Sequence, residues 1–197
     1  MPSSVIRHGA SQVPPGLIPQ LPATYRPNDI LIHPMSHCAM GDELTSVSNT
    51  SFASAAYPAA NRAIGFMFCI ADYFNVMKVW WMNGTTATTD NADVGVYTEA
   101  GTTLLVSGGS TAIATANVVQ EKDCTDTLLP PGRYWCVFVQ SGTTATTISS
   151  AVSIGNLRMM GAAQFAGAVP LGGTFTPAAC ASAVLPYFGI AGRTQVA

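Results

Sequence analysis

Three clusters of residues carry types and spacings that could do chemistry. His33 and His37 stand four apart, with Cys38 adjacent and Asp42 and Glu43 close behind. On a helix, histidines at that spacing share a face and can hold zinc. Pro34 lies between them, however, and no second ligand pair of the usual spacing follows, so polar residues on a packed arm are the plainer reading. Asp90, Asn91 and Asp93 crowd one loop. Oxygen ligands at near-alternate positions can bind calcium, but the glycine and distal glutamate of an EF-hand are missing, and Asx residues make turns without any metal. Trp80, Trp81 and Trp135 could stack sugar rings. Neighbours in a strand point to opposite faces, so one of Trp80 and Trp81 belongs to the core and the other to solvent, an arm or a partner.

Catalytic constellations are weaker. A GxSxG nucleophile turn is absent, and His8, His33 and His37 all sit in a proline-rich stretch away from any rigid scaffold. Asp72, Asp90, Asp93 and Glu99 could meet as a carboxylate pair, as glycoside hydrolysis requires. Gly108-Gly109 lacks the following Lys-Ser/Thr of a phosphate loop and reads as a turn. No catalytic, cofactor or metal-binding residue is therefore assigned, and a non-enzyme without cofactor is expected. The five cysteines, Cys38, Cys69, Cys124, Cys136 and Cys180, form no CxxC pair and read as small buried hydrophobes. Cys124 and Cys136, on either side of one turn, are the alternative as a bridge. The hexapeptide Gly-Thr-Thr-Ala-Thr-Thr occurs at 84–89 and again at 142–147, each time after a tryptophan-bearing strand. It is either a pair of loops forming a contact surface at one end of the fold or a coincidence in a Thr/Ala-rich chain.

These residues need strands to position them. In Ala63–Ile70, Phe66, Phe68 and Ile70 point one way. In Phe74–Met82, Met77, Val79 and Trp81 share one face and Val76, Lys78 and Trp80 the other; the first face is assigned to the core because Lys78 needs solvent or a partner. Asp93–Tyr97 and Thr102–Ser107 flank Glu99-Ala100-Gly101 as a hairpin. Ala112–Gln120 reads as a weaker strand, and Pro130-Pro131-Gly132 as a turn. Arg133–Gln140 alternates Tyr134, Cys136 and Phe138 against Trp135, Val137 and Val139, and Thr146–Ile154 closes the series. Short β-rich runs with turn signals every ten to fifteen residues predict an all-β fold, an antiparallel β-sandwich of jelly-roll-like kind.

On either side lie arms. Seven of the 13 prolines fall within the first 34 residues, which excludes helix and central strand there. The expected division is an extended N-terminal arm over 1–50, a sandwich over 51–155, and a Gly/Ala-rich C-terminal arm over 156–197 with one more strand near Ala183–Ile190. The arms are apolar, and their residues Ile18, Leu21, Tyr25, Ile30, Leu31, Ile32, Phe165, Phe175, Tyr187 and Phe188, together with Trp80, are the expected contact surface between copies. Charged residues make up only 9% of the 197, against about 25% in an average domain. A net charge of −2 with two lysines gives no footprint for nucleic acid. No secretory signal and no membrane span are expected, because every apolar stretch is broken by charge or proline. So little charge on so apolar a chain suggests a surface covered by other protein.

The stretches YPAANRAIGF (57–66), KVWWMNG (78–84), DVGVYTEAGTTLL (93–105) and CTDTLLPPGRYWCVFV (124–139), with PYFGIAGRT (186–194) at the end, resemble in order a group of small virion proteins of tailed bacteriophages. The resemblance implies a β-sandwich structural protein of the phage particle, assembled in the host cytoplasm, on the capsid surface, at the neck, or in the tail or its fibres. Its implied partners are further copies of itself and other virion proteins such as the major capsid or tail proteins. A glycan, bound by a receptor-binding module of a tail fibre, is the alternative. The long proline-rich N-terminus departs from the group.

Overall fold

A computed structural model describes residues 29–32, 52–151, 161–174 and 176–195. It is all-β, with no helix among the described residues. In chain order the strands are β1 (Asp29–Ile32), β2 (Phe52–Ala56), β3 (Arg62–Ile70), β4 (Tyr73–Met82), β5 (Asn91–Thr98), β6 (Leu104–Ser107), β7 (Thr111–Ala112), β8 (Val119–Leu129), β9 (Gly132–Gln140), β10 (Thr146–Ala151), β11 (Ala162–Ala166), β12 (Ala178–Ala179), β13 (Val184–Pro186) and β14 (Phe188–Gln195). All pairings are antiparallel. One sheet runs β12-β11-β3-β9-β5-β6, with β7 also on β5; the second runs β1-β14-β4-β8; the third runs β13-β10-β2. The second and third sheets meet end to end. The Met82 amide donates to the Tyr187 carbonyl, the Tyr187 amide donates to the Ile148 carbonyl, and Asn83 bridges Thr147.

The sandwich interior joins these layers. Ile64, Phe66, Phe68 and Ile70 of β3 and Cys136 and Phe138 of β9 meet Phe74, Val76, Val79 and Trp81 of β4 and Phe188 and Ile190 of β14 in one buried cluster. Phe138 is its centre, with ring centroids 5.4 Å from Tyr57, 5.5 Å from Phe188 and 6.4 Å from Trp81. The second set on β9, Trp135, Val137 and Val139, is buried as well, in a separate cluster on the outside of the large sheet. A strand apolar on both faces has to be covered twice.

Two expectations change here. On β4 it is Val76, fully buried, that shares the core with Val79 and Trp81, while Met77 is only half-buried. The cause is a β-bulge. Ala191 pairs with Lys78 and the next residue, Gly192, pairs with Val76, which leaves Met77 as the extra residue and flips the alternation behind it. The second change concerns the ends. Strand pairing does not stop at 155. β14 lies between β1 and β4 in the middle of its sheet, so 184–195 belongs to the body, and so does β1, whose Ile32 is core. Composition marked these stretches as arms because Gly, Ala and Pro dominate them. Gly189 shows why the small residue is needed: a Cβ there would run into the Ile32 carbonyl oxygen.

Phe188 is fully buried against the rings of Phe66 and Phe138 on the facing sheet. Phe188→Ala is expected to lower the unfolding free energy by about 3–5 kcal/mol. Urea denaturation reads this directly, and a loss under about 1 kcal/mol would mean that β14 lies outside the cooperative core.

Candidate functional site

β4 and β9 run out at the same end of the sandwich, and each is followed by one copy of the repeated hexapeptide. The structure places the two copies side by side. The Gly84 amide donates to the Thr146 carbonyl at 2.8 Å, and the Thr146 amide donates back to the Thr86 carbonyl at 3.0 Å. The Ser54 hydroxyl donates to Thr146 Oγ1 at 2.8 Å and accepts from the Thr85 amide at 2.8 Å. The copies are neighbours but not equivalents. In the first, Thr85, Thr86 and Thr89 are exposed; in the second, Ala145 and Thr147 are buried and the chain has already entered β10. Together with Thr143 and Thr144 they form a hydroxyl-rich rim.

Asp90 closes this rim. Its Oδ2 accepts from the Thr144 amide at 3.1 Å and the Ala145 amide at 2.8 Å. The carboxylate lies so close over Gly142 that any Cβ there would collide with it. Asp93 serves elsewhere. It is fully buried on the outer face of the large sheet, where Oδ2 accepts from the Ser107 hydroxyl at 2.7 Å and from the Leu171 amide at 2.9 Å. The second bond pins residues 167–174, which cross the outer face as a strap without strand structure. The Tyr97 hydroxyl donates to the Gly172 carbonyl at 2.6 Å and fixes the strap a second time. Between these pins Leu171 drops into the space left by Gly95, where a Cβ would stand 2.9 Å from Leu171 Cδ1 and 2.6 Å from the Val106 carbonyl oxygen. The strap thus caps Trp135, Val137 and Val139. Burial pushes the Asp93 carboxyl above its usual range, against the pull of the Ser107 hydroxyl and the amides of Leu171, Gly108 and Gly109. Burial first, and the nearby Asp93 second, lift the Tyr97 hydroxyl to about 12.

The acids whose spacing suggested calcium are therefore not brought together. Among the described residues no group of three His, Cys, Asp or Glu side chains could hold a metal ion. His33, His37, Cys38, Asp42 and Glu43 lie outside the described residues. Cys124 and Cys136 stand on β8 and β9, in different sheets, and are not joined to each other. Trp80, Trp81 and Trp135 are 4%, 1% and 7% exposed, so none presents an open ring for a sugar.

The expected contact residues divide. Phe188 and Ile32 are core, and Trp80 is buried with its ring edge-on to half-buried Tyr187, centroids 5.2 Å apart. None of these three is available as an open contact residue, because β1 and β14 are built into the sheet. Phe165 is half-buried against the outer cluster and edge-on to Tyr97. Ile30 and Leu31 are placed only by their backbone, in β1, and Ile18, Leu21, Tyr25 and Phe175 lie outside the described residues.

Apolar exposure is found elsewhere. Among the described residues the exposed large hydrophobics are Tyr73, Val118, Val119 and Leu128. All four lie along the β4–β8 edge: Val118 and Val119 at the start of β8, Leu128 near its end, and Tyr73 at the head of β4. Between the ends, Lys78 is paired with Glu121 at 3.0 Å and Asp123 at 3.9 Å. The sequence reading missed this strand, placing one at 112–120 where only β7 and the first two residues of β8 form. The run Glu121-Lys122-Asp123-Cys124-Thr125-Asp126 has no apolar alternation, since little of it is buried. Its charges are those of an edge strand, and that was the available signal.

Comparison with protein-family models, with curated proteins and with solved structures finds no match.

Two outcomes follow from the pins. Gly142→Ala should displace the Asp90 cap and cost about 1–3 kcal/mol in urea unfolding, whereas Gly173→Ala, at a position open to solvent, should not. The native pKa of Asp93 lies above the unfolded one, about 3.9. Native protein therefore holds the proton more tightly, so this group favours folding as pH falls toward the unfolded value, and that contribution is lost as pH rises through the native pKa. Relative to Asp93→Asn, the unmodified chain should gain stability as pH falls toward about 4. Parallel stability curves for the two proteins would contradict this.

Proposed function

We propose that the protein is a non-enzymatic structural subunit of a tailed-phage virion, a jelly-roll-like sandwich that assembles as a symmetric homo-oligomer and packs against other virion proteins. The observation that carries this reading is the distribution of apolar surface. In a chain with 9% charged residues, the exposed large hydrophobics of the described body lie at the two ends of the long β8 edge and beside it on β4, with charged residues between them. An exposed edge strand of this length with apolar ends favours contact with another protein strand. The stretches that resemble phage virion proteins fall on β3, β4, β5–β6, β8–β9 and β13–β14, so the resemblance concerns the body of both layers. Low charge and many small residues suit a subunit that works by burying surface against neighbours. For the alternative, a glycan-binding tip, the three buried tryptophans supply no stacking platform.

Size-exclusion chromatography with light scattering tests the proposal. A discrete multiple of 20.4 kDa is expected, and a monomer at every concentration would overturn it. For incorporation into particles the informative deletion is 1–28. Removing 1–43 would also take β1 and the core residue Ile32 and so confound loss of contact with loss of fold. The shorter deletion should leave the urea midpoint within the error of the full chain and abolish incorporation.

A further inference from the structure

The sheets of the described body end in strands of very different length. β1, β2, β6, β12 and β13 have five residues or fewer, whereas β8 has eleven. β8 pairs with β4 along one side only. Its other side presents a row of backbone donors and acceptors that make no ladder among the described residues, and such a row is a template for one more strand. Its side chains say what that strand should be like. Val119 and Leu128 are exposed near the two ends and call for apolar neighbours. Glu121, Asp123 and Asp126 against the single Lys122 give β8 a net charge of −2, which calls for a basic partner and makes pairing with a second β8 unfavourable.

The chain contains a segment of that description. Residues 1–28 hold Arg7, Arg26 and His8 and no acid at all. A strand added to an edge needs consecutive backbone N–H groups, which proline lacks. Within 1–28 the prolines leave only one long uninterrupted stretch, Ser3 to Val13, eleven residues with Val5, Ile6 and Val13 near its ends and Arg7 between. The following residues 14–28 hold five prolines. Fifteen residues reach at most about 50 Å when fully extended. β1 and β8 of one chain are three strand spacings apart, about 14 Å. That reach extends past the edge of the chain's own sheet, so β8 of a neighbouring copy lies within range.

We infer that residues 3–13 of one copy add as an edge strand to β8 of a neighbouring copy. The inference rests on the assembly reading above and names the contact that carries it. Each copy gives one strand and receives one, so the contact is head-to-tail and closes into a ring where the rotation permits.

Hydrogen–deuterium exchange over 119–129 tests this in the full chain across a concentration series. The expected result is protection of about half the β8 amides, those facing away from β4, appearing with oligomer formation and reduced at least tenfold by deletion of 1–13. A synthetic 3–13 peptide added to the truncated chain should restore it. In the full chain Arg7→Glu should weaken protection and Arg7→Glu with Asp126→Lys should recover it, which separates charge pairing from damage to the fold. An oligomer whose β8 exchanges equally fast with and without 1–13 would overturn the strand addition while leaving the assembly reading standing. A monomer protected at β8 independently of concentration would overturn the exchange between copies and the assembly reading together.

Discussion

The large sheet is apolar on both faces, and the rest of the structure answers to that. β3, β9 and β5 turn Phe66, Phe138 and Val94 inward and Ala63, Val137 and Tyr97 outward, all buried. The inner face is satisfied by the second layer, built from β1, β14, β4 and β8 and extended by β13, β10 and β2. Among the described residues no further layer of strands covers the outer face. It is closed instead by a strap too short to make its own ladder, which must be held by side chains. A buried acid, Asp93, and a buried phenol, Tyr97, sit in an otherwise hydrocarbon surface for that reason. Leaving the strap's Leu171 amide unpaired there would cost about as much as a carboxylate hydrogen bond contributes.

Charge is scarce in this chain, and part of it in the described body is committed to architecture. Asp90 caps one copy of the repeated loop from the other, Asp93 pins the strap, and Arg133 pairs with Glu99 beside the β5–β6 turn. The β8 edge is different. Its acids lie on an exposed strand with only Lys78 engaging two of them, and its ends are apolar. Core and strap consume polar groups internally, whereas this edge leaves backbone and side chains available to something outside the body. The functional reading rests on that contrast between a buried interior and an exposed strand edge.

The fold class was legible from period-two patterning, and β3, β4, β9 and the β5–β6 hairpin follow it closely, with Gly101 at positive φ in the turn. Alternation reports burial on one face, so it failed in three physical situations. Where a bulge inserts Met77, parity breaks, and Val76 takes the core position that alternation gave to Met77 while Val79 and Trp81 keep theirs. Where a strand is exposed, as β8 is, there is no apolar period to read. Where close backbone approach demands Gly and Ala, as along β14, composition resembles a loop although the strand is central. The juxtaposition of the two hexapeptides and the roles of Asp90 and Asp93 depend on pairing between residues more than fifty positions apart, which no local window contains.

The position of β14 also governs the order in which the molecule can be made. β3, β9, β5 and β6 are complete once residue 140 has been synthesised, and β4 and β8 can pair by then. The strand that joins β1 to β4 arrives only at 188–195. Until it leaves the ribosome, Trp81, Phe138 and Phe66 lack the Phe188 side of their packing, and β4 carries a second open edge. Pairing between segments more than a hundred residues apart is slow, and such half-closed states are prone to stick to one another. A chain released before 188–195 is made therefore keeps an open apolar layer, and the last strand to be synthesised is the one that closes the core.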